Sequence, residues 1–317
     1  MREEGPTNLC WIRRRNNLSR LKRKIIIISR NYPPKIGGLE SYSYNLIKEF
    51  EKHHHVIKIV LSKSIRHLIW FAPYSFIKSL NLAGSHSIRH IHLCDAVLAP
   101  IGLLLKLSLD VQVSVSVHGL DITYGHILYK SLIPRCVARL DRIISVSQAT
   151  RSECQHRDIP LKNCTVIPNG IRSSEHYLAE ARDDLRMELE KMAGCAVRNS
   201  KILVTVGRLV KRKGVAWFIE CVMPCLDSNY IYIVAGYGPE FDRIQRLVSR
   251  LGLEKRVLLL GRVSNATRKI LLNAADIFIM PNITVADDVE GFGIVVLEAG
   301  SCGLPVVASN IQGIKDA

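Results

Sequence analysis

The sequence predicts an α/β protein built from two doubly wound parallel-sheet domains, and three observations carry that reading. Short, continuous apolar runs alternate with segments of helical periodicity along almost the whole chain, the pattern of parallel strands covered by helices on both faces. A length of 317 residues exceeds what one ordinary core organises and suits two domains. A composition of 48% hydrophobic and 23% charged residues is that of a folded globular chain.

The first alternating series begins at Lys24. Ile25–Ile28 is a β-branched strand, Gly37-Gly38 breaks it, Leu39–Phe50 has a helical period and Val56–Leu61 is a second strand, which together make a βαβ unit. Val111–Val117 alternates as a strand and ends at His118-Gly119; Arg142–Val146 is another, with Ser147 as the N-cap of the helix after it. Thr165–Ile167 runs into the turn Pro168-Asn169-Gly170. Residues 171–200 are charged and irregular with some helical character. A second series follows: strands at Ile202–Val206, Tyr230–Val234, Val257–Leu260, Ile277–Met280 and Val306–Ala308, with helices Val215–Cys221, Phe241–Leu251, Ala266–Asn273 and Ile294–Ser301 between them. The expected organisation is a basic tail over 1–23, a first domain over 24–171, a linker over 172–200 and a second domain over 201–317.

Charge divides unevenly over these parts. The chain carries a net charge of +16; residues 1–170 account for +14 of it and residues 171–317 for +2. Such asymmetry predicts an acidic partner for the first domain, such as an anionic membrane surface or a phosphorylated acceptor. A solvated tail over Met1–Lys24 supplies +6 and is the plainer reading of part of it. Basic residues interleaved with aromatics in the manner of known nucleic-acid modules are missing, so no nucleic-acid partner is expected. The most apolar stretch, Ala96–Leu109, is short and holds Lys106, so no transmembrane helix is expected. The N-terminus has no apolar stretch leading to a small-residue cleavage site. Nine scattered cysteines without a paired metal spacing read as reduced, mostly buried thiols. The expected location is cytoplasmic, with the inner face of the cytoplasmic membrane as a peripheral site.

The most informative stretch is Glu290-Gly-Phe-Gly-Ile-Val-Val-Leu-Glu298. Its two acids lie eight residues apart, one before a glycine turn and one a little over two helical turns on, so both line one cleft. Gly291 and Gly293 allow a ligand close to the backbone, and the free amides of the helix start suit a diphosphate. Gly207-Arg208 follows a strand and Lys213-Gly214 precedes a helix, an exit lined by a guanidinium fork and a mobile ammonium, although Lys211-Arg212-Lys213 is also simply a charge run. Gly236-Tyr-Gly238 reads equally as a nucleotide-facing loop or a turn. His118 is a candidate for a sugar hydroxyl, against the commoner reading of a satisfied structural histidine. His53–His55 is a polar connection rather than a metal tract. Residues 67–82 mix Trp70, Phe71, Tyr74 and Phe76 with Lys78, beside Arg66, an interfacial composition that core packing explains as well.

Taken in order and spacing, Gly37-Gly38-Leu-Glu40, His118-Gly119, Pro168-Asn-Gly170, Gly207-Arg208 with Lys213-Gly214, Gly236-Tyr-Gly238-Pro239 and the Glu290/Glu298 pair resemble the retaining GT-B glycosyltransferases of family four, over about residues 24 to 314. The resemblance implies two Rossmann-like domains facing a cleft. It implies transfer of a hexose or amino-sugar from a UDP- or GDP-sugar to a hydroxyl of a cell-envelope glycan or lipid-linked acceptor, with retention and with neither cofactor nor metal. Glu290, Arg208, Lys213 and His118 match the catalytic set. Glu298 matches the acid on the ribose, and Gly37, Gly38, Gly207, Gly236, Gly291, Phe292 and Gly293 match the rest of the donor site. The chain stops at Ala317, where the family's C-terminal helices would begin, so the second domain is expected to be incomplete. A non-catalytic nucleotide-sugar-binding protein and a GT-B epimerase are the alternatives.

Overall fold

The structure is a computed structural model that describes residues 23–35, 37–62, 67–85 and 88–317. The expected basic tail up to residue 22, Cys10 and Arg66 lie outside the described residues. Among the described residues eleven strands fall into two parallel sheets. By its contacts the chain divides into one unit of residues 1–116 with 135–143 and another of residues 117–134 with 144–317.

The first sheet has six strands in the order β2-β1-β3-β4-β5-β6. They are β1 (Lys24–Ser29), β2 (His55–Val60), β3 (His90–Leu93), β4 (Gln112–Val117), β5 (Arg142–Ser145) and β6 (Cys164–Val166). The helices between them are α1 (Gly38–His53), α2 (Leu68–Ser85), α3 (Ala99–Ser108), α4 (Leu120–Thr123), α5 (Ile127–Val137) and α6 (Gln148–Gln155). The isoleucine run of β1 is buried on both faces because it is a central strand between β2 and β3. Ile25, Ile27, Ile47 and Cys94 form a core beneath α1. Ser147 caps α6 as expected, accepting from the backbone N–H of Thr150.

β3 is not among the strands predicted from the sequence, because His90-Ile-His92-Leu reads as polar. The fold satisfies these histidines: His92 Nδ1 lies 2.8 Å from Ser114 Oγ and its Nε2 3.2 Å from Ser116 Oγ, while Tyr42 Oη sits 2.6 Å from Ser116 Oγ. The serines of β4 are therefore the hydrogen-bond partners of a buried histidine strand.

The second sheet has five strands in the order β11-β10-β7-β8-β9, namely β7 (Lys201–Val206), β8 (Tyr230–Ala235), β9 (Val257–Gly261), β10 (Ile277–Met280) and β11 (Val306–Ala308). Its helices are α7 (Arg182–Ala193), α8 (Val215–Cys221), α9 (Phe241–Arg250), α10 (Asn265–Ala274) and α11 (Ile294–Ser301). Strand alternation sends Leu203, Tyr232 and Ile279 to one face, against Phe218 and Ile219 of α8 and Ile244 of α9. It sends Ile202, Val204, Ile233 and Phe278 to the other, against Leu185 and Leu189 of α7 and Leu271 of α10. The stretch expected to be irregular thus contains a regular helix whose apolar face completes this core. The chain runs β7-β8-β9 in one direction and then crosses to β10 on the far side of β7, so the switch point lies between β7 and β10, where ligands bind in open parallel sheets.

Four of the eight described cysteines, Cys94, Cys136, Cys154 and Cys164, are buried as expected; Cys221 and Cys225 are exposed, which corrects the view of mostly buried thiols.

Candidate functional site

The switch point of the second sheet gathers the polar residues of two loops. The loop leaving β7 carries Gly207, Arg208 and a short turn at Lys211–Lys213; the loop leaving β10 carries Asn282, Asp288 and Glu290 before α11 begins. Because β7 and β10 are hydrogen-bonded neighbours, their exits lie side by side.

Glu290 is the centre of this site. The residue is 8% exposed, and three groups converge on its Oε2: Lys213 Nζ at 2.7 Å, Arg212 Nε at 3.2 Å and Asn282 Nδ2 at 3.0 Å. Arg212 also donates through Nη1 to Asp288 at 2.7 Å, and its carbonyl accepts from Ile283 N–H, which stitches the two loops together. Burial pushes the Glu290 carboxyl up, but the Lys213 and Arg212 charges and the bonds from Lys213 and Asn282 outweigh it and hold it below its ordinary value. It is an ionised acceptor ringed by cations. The backbone is pinned as well, Glu290 N–H donating to Gln312 Oε1 at 2.7 Å and Glu290 O accepting from Gly313 N–H.

The turn after Glu290 shows why glycine stands there. Gly291 lies so close to the His118 carbonyl that a Cβ would collide with it, and Thr150 Oγ1 donates to Gly291 O at 3.4 Å. His118 thus reaches the acidic turn through its backbone, within the second unit, and its own N–H is held by Asp121 Oδ1 at 2.8 Å. Phe292 is buried. Gly293, with φ of +92°, is the N-cap of α11 and has no side chain to cap it, which leaves first-turn amides for a ligand oxygen.

Glu298, one turn inside α11, is 4% exposed and is held by a different cation, Arg268 Nη1 of α10 at 3.2 Å from Oε2. His176 is buried in the same neighbourhood, its carbonyl accepting from Asn273 Nδ2 at 3.0 Å. Burial pushes the His176 pKa down, Glu298 opposes that shift and Arg268 reinforces it.

Of the other expected residues, Gly207 and Gly236 stack so closely that a Cβ on Gly236 would meet the Gly207 carbonyl. Arg208 is exposed. Gly37 is the N-cap of α1 and Gly38 its first residue, at the exit of β1 in the first unit. Sequence reasoning missed Arg212, which it dissolved in a charge run, and also Arg268 and His176; the loop from Asn282 to Asp288 it read equally as reaching the donor sugar or as a solvated lid. The signal for Arg212 was its place next to Lys213; nothing local marks Arg268 or His176, which meet Glu298 only through the packing of α10 and α11.

Residues 191–317 match the family of glycosyl transferases group 1, and residues 36–175 match glycosyltransferase family 4. The GPI3 subunit of phosphatidylinositol N-acetylglucosaminyltransferase from Saccharomyces cerevisiae is 25% identical, over 93% of this chain and 63% of its own length. A GDP-mannose-dependent alpha-(1-6)-phosphatidylinositol monomannoside mannosyltransferase of Mycolicibacterium smegmatis is 26% identical, over 92% of this chain and 82% of its own. Among solved structures, Anabaena HepE in complex with UDP and glucose is similar with a TM-score of 0.71 at 20% identity, over 93% of this chain and 82% of that one. The two parallel-sheet α/β domains are the GT-B fold.

Proposed function

We propose, from the matches of residues 191–317 to the glycosyl transferases group 1 and of residues 36–175 to glycosyltransferase family 4, that this chain moves a hexosyl or amino-sugar group from a nucleotide-diphosphate sugar to a hydroxyl of a glycan or lipid-linked acceptor, with retention at the anomeric carbon. The observation that carries the reading is the buried Glu290 carboxylate held by Lys213 and Arg212 at the mouth of the glycine turn. Such a site offers an ionised acceptor for donor-sugar hydroxyls beside cations for the diphosphate.

In this mechanism the bond between the anomeric carbon and the phosphate oxygen breaks, and its electron pair leaves with the nucleoside diphosphate. Lys213 and Arg208 meet the charge that develops there, and the amides at the start of α11 hold a phosphate oxygen. The acceptor hydroxyl attacks from the face the diphosphate leaves, and its proton passes to the leaving phosphate oxygen. Retention follows from that same-face geometry. His118 and the Gly37-Gly38 turn complete the donor site in this reading, with Glu298 on the ribose.

Names of the relatives support the substrate classes. One uses GDP-mannose, two act on phosphatidylinositol-based acceptors, and a structural neighbour is seen with UDP and glucose. We extend the reading to a peripheral site of action on an anionic lipid surface. No helix among the described residues is long and apolar enough to cross a membrane. Yet Ile69 and Trp70 of α2 are 78% and 75% exposed, in the domain that carries most of the positive charge.

Calorimetric titration with UDP and GDP tests the donor site. One nucleotide should bind, and Lys213→Ala and Glu298→Ala should each weaken it by on the order of 1–3 kcal/mol, because each removes a buried charged contact. Wild-type affinity in both variants would sink the site assignment. Binding without transfer from the matching labelled sugar donor to a lipid or glycan acceptor pool would favour a binding protein over an enzyme.

A further inference from the structure

We infer that Arg268 is a positioning residue for the donor nucleotide: it holds the buried Glu298 carboxylate in the orientation from which it accepts the vicinal hydroxyls of a ribose. The inference rests on the donor-site reading above and adds a residue to it.

A carboxylate as enclosed as Glu298 needs a partner, and the partner found is Arg268, on a different helix. The ion pair runs from one guanidinium nitrogen, Nη1, to one carboxylate oxygen, Oε2, at 3.2 Å. It neutralises the charge without consuming the acceptor capacity of the carboxylate, which has about four lone-pair sites. The surroundings are those of a site rather than a core. Arg268 Nε and His176 Nδ1 are both buried without a hydrogen-bond partner, and buried polar atoms left in that state are otherwise rare. His176 is itself more than nine-tenths buried and lies within electrostatic range of both Glu298 and Arg268. Its segment is fixed by Asn273, which donates to the His176 carbonyl and accepts from Leu178 N–H. The three polar residues come from three separate stretches of chain, and the fold brings them to the helix that starts at the Glu290 turn.

An acid held in this way suits a diol, whose two adjacent O–H donors meet a carboxylate with both oxygens available. A loosely held carboxylate would have to be ordered at the moment of binding, at an entropic cost that the arginine has already met in the folded chain.

The test compares ribonucleotides with their 2′-deoxy counterparts, UDP with 2′-deoxy-UDP and GDP with 2′-deoxy-GDP, by calorimetry on the full chain. Wild type should prefer the ribo form of its nucleotide by about tenfold, the worth of one good hydrogen bond. Arg268→Leu should bring that ratio close to one while the diphosphate still binds. Arg268→Lys, which keeps the charge but loses the planar fork, should restore part of it. A merely structural role for Arg268 predicts weaker binding of both forms with the ratio kept, and that result would overturn the inference.

Glu298→Gln separates the inference from the reading beneath it. If Glu298→Gln abolishes the ratio and Arg268→Leu does not, Arg268 does not position the acid and the donor-site reading stands. If folded wild type binds none of the four nucleotides, or never discriminates ribo from deoxy, the reading of Glu298 falls and the inference with it. Arg268→Leu in the Glu298→Gln background leaves no buried carboxylate unpaired, so it serves where the single variant does not fold. There it should lower the ratio no further than Glu298→Gln alone. An additional loss would mean that Arg268 acts on the nucleotide by another route, and would also overturn the proposal.

Discussion

Glu290 couples the acid stability of this protein to its donor site. Desolvation alone would raise its pKa, and the opposing pull of Lys213 and Arg212 wins, so the folded value lies below the unfolded one. The sign follows: the unfolded chain takes up this proton first, so the pair's contribution is complete above the usual carboxylate range and is lost as the pH falls through the lowered folded value. Wild type should therefore be more stable than Glu290→Gln at pH 7, by on the order of 1–3 kcal/mol. Urea midpoints measured down to the acid limit should show that gap closing below the usual carboxylate range. A gap of constant size across the series would mean that the ionised carboxylate is not what Lys213 and Arg212 stabilise. Glu290 and Lys213 were legible in the sequence because glycine turns and strand ends frame them. Arg212 was not, since its two contacts come from a loop more than seventy residues away and its own neighbours are simply basic.

The helix α7 shows what such framing cannot supply. Its sequence, Arg182 to Ala193, is mostly charged, and only Leu185 and Leu189 of its face are buried. Two apolar residues one turn apart are too weak a period to separate a packed helix from a solvated linker. What decides is long-range: Leu185 and Leu189 meet Ile270 and Leu271 of α10 in one cluster, and Arg186 reaches Asp276 at 2.7 Å. Asp276 in turn accepts from Ile202 N–H at 2.7 Å, at the start of β7, so the helix is tied to the strand that leads into the site. Truncation of the fully buried Leu189 to Ala should cost about 2–5 kcal/mol, the range for a cavity in a packed core. Chemical denaturation reads this directly. A loss under ~0.5 kcal/mol, the size of a surface substitution, would show that α7 is an appendage to the sheet and not part of its core. The strands marked by continuous β-branched runs, by contrast, were legible to within about a residue, because such runs have no other stable use in a parallel sheet; β3, with two histidines among its four residues, was not.

Taken over the whole chain, the positive charge and the exposed apolar side chains of α2 point to one kind of surface. Residues 1–170 carry a net +14. Along α2, Ile69, Trp70, Tyr74 and Ile77 fall within about 140° of arc at 100° per residue, and all are exposed, while Phe71, Ser75 and Ser79 fall opposite and are buried. The sequence leaned slightly towards core packing over an interfacial role for this segment. The burial pattern favours the interfacial role, since Phe71 is buried while Trp70 stands in solvent. Lys78 adds a cation beside Tyr74, its Nζ 2.9 Å from the phenol oxygen. We propose that this face lies in a membrane interface, its apolar side chains among the acyl chain ends and Lys78 at the headgroups. Each of two large side chains contributes roughly 1.5–3 kcal/mol when fully transferred from water, and each nearby cation about 1 kcal/mol on an anionic surface. The full chain should accordingly sediment with vesicles of phosphatidylglycerol and phosphatidylcholine, more weakly as salt is raised and least with phosphatidylcholine alone. Ile69→Ser with Trp70→Ser should lower the partition by at least about tenfold, a change of ~1.4 kcal/mol, without altering nucleotide affinity, because the pair lies in the first unit and the Glu290 site in the second. No sedimentation at low salt would remove the membrane from this account. Sedimentation that falls with salt yet ignores the double substitution would assign it to charge alone, and α2 would then need another partner for its exposed tryptophan.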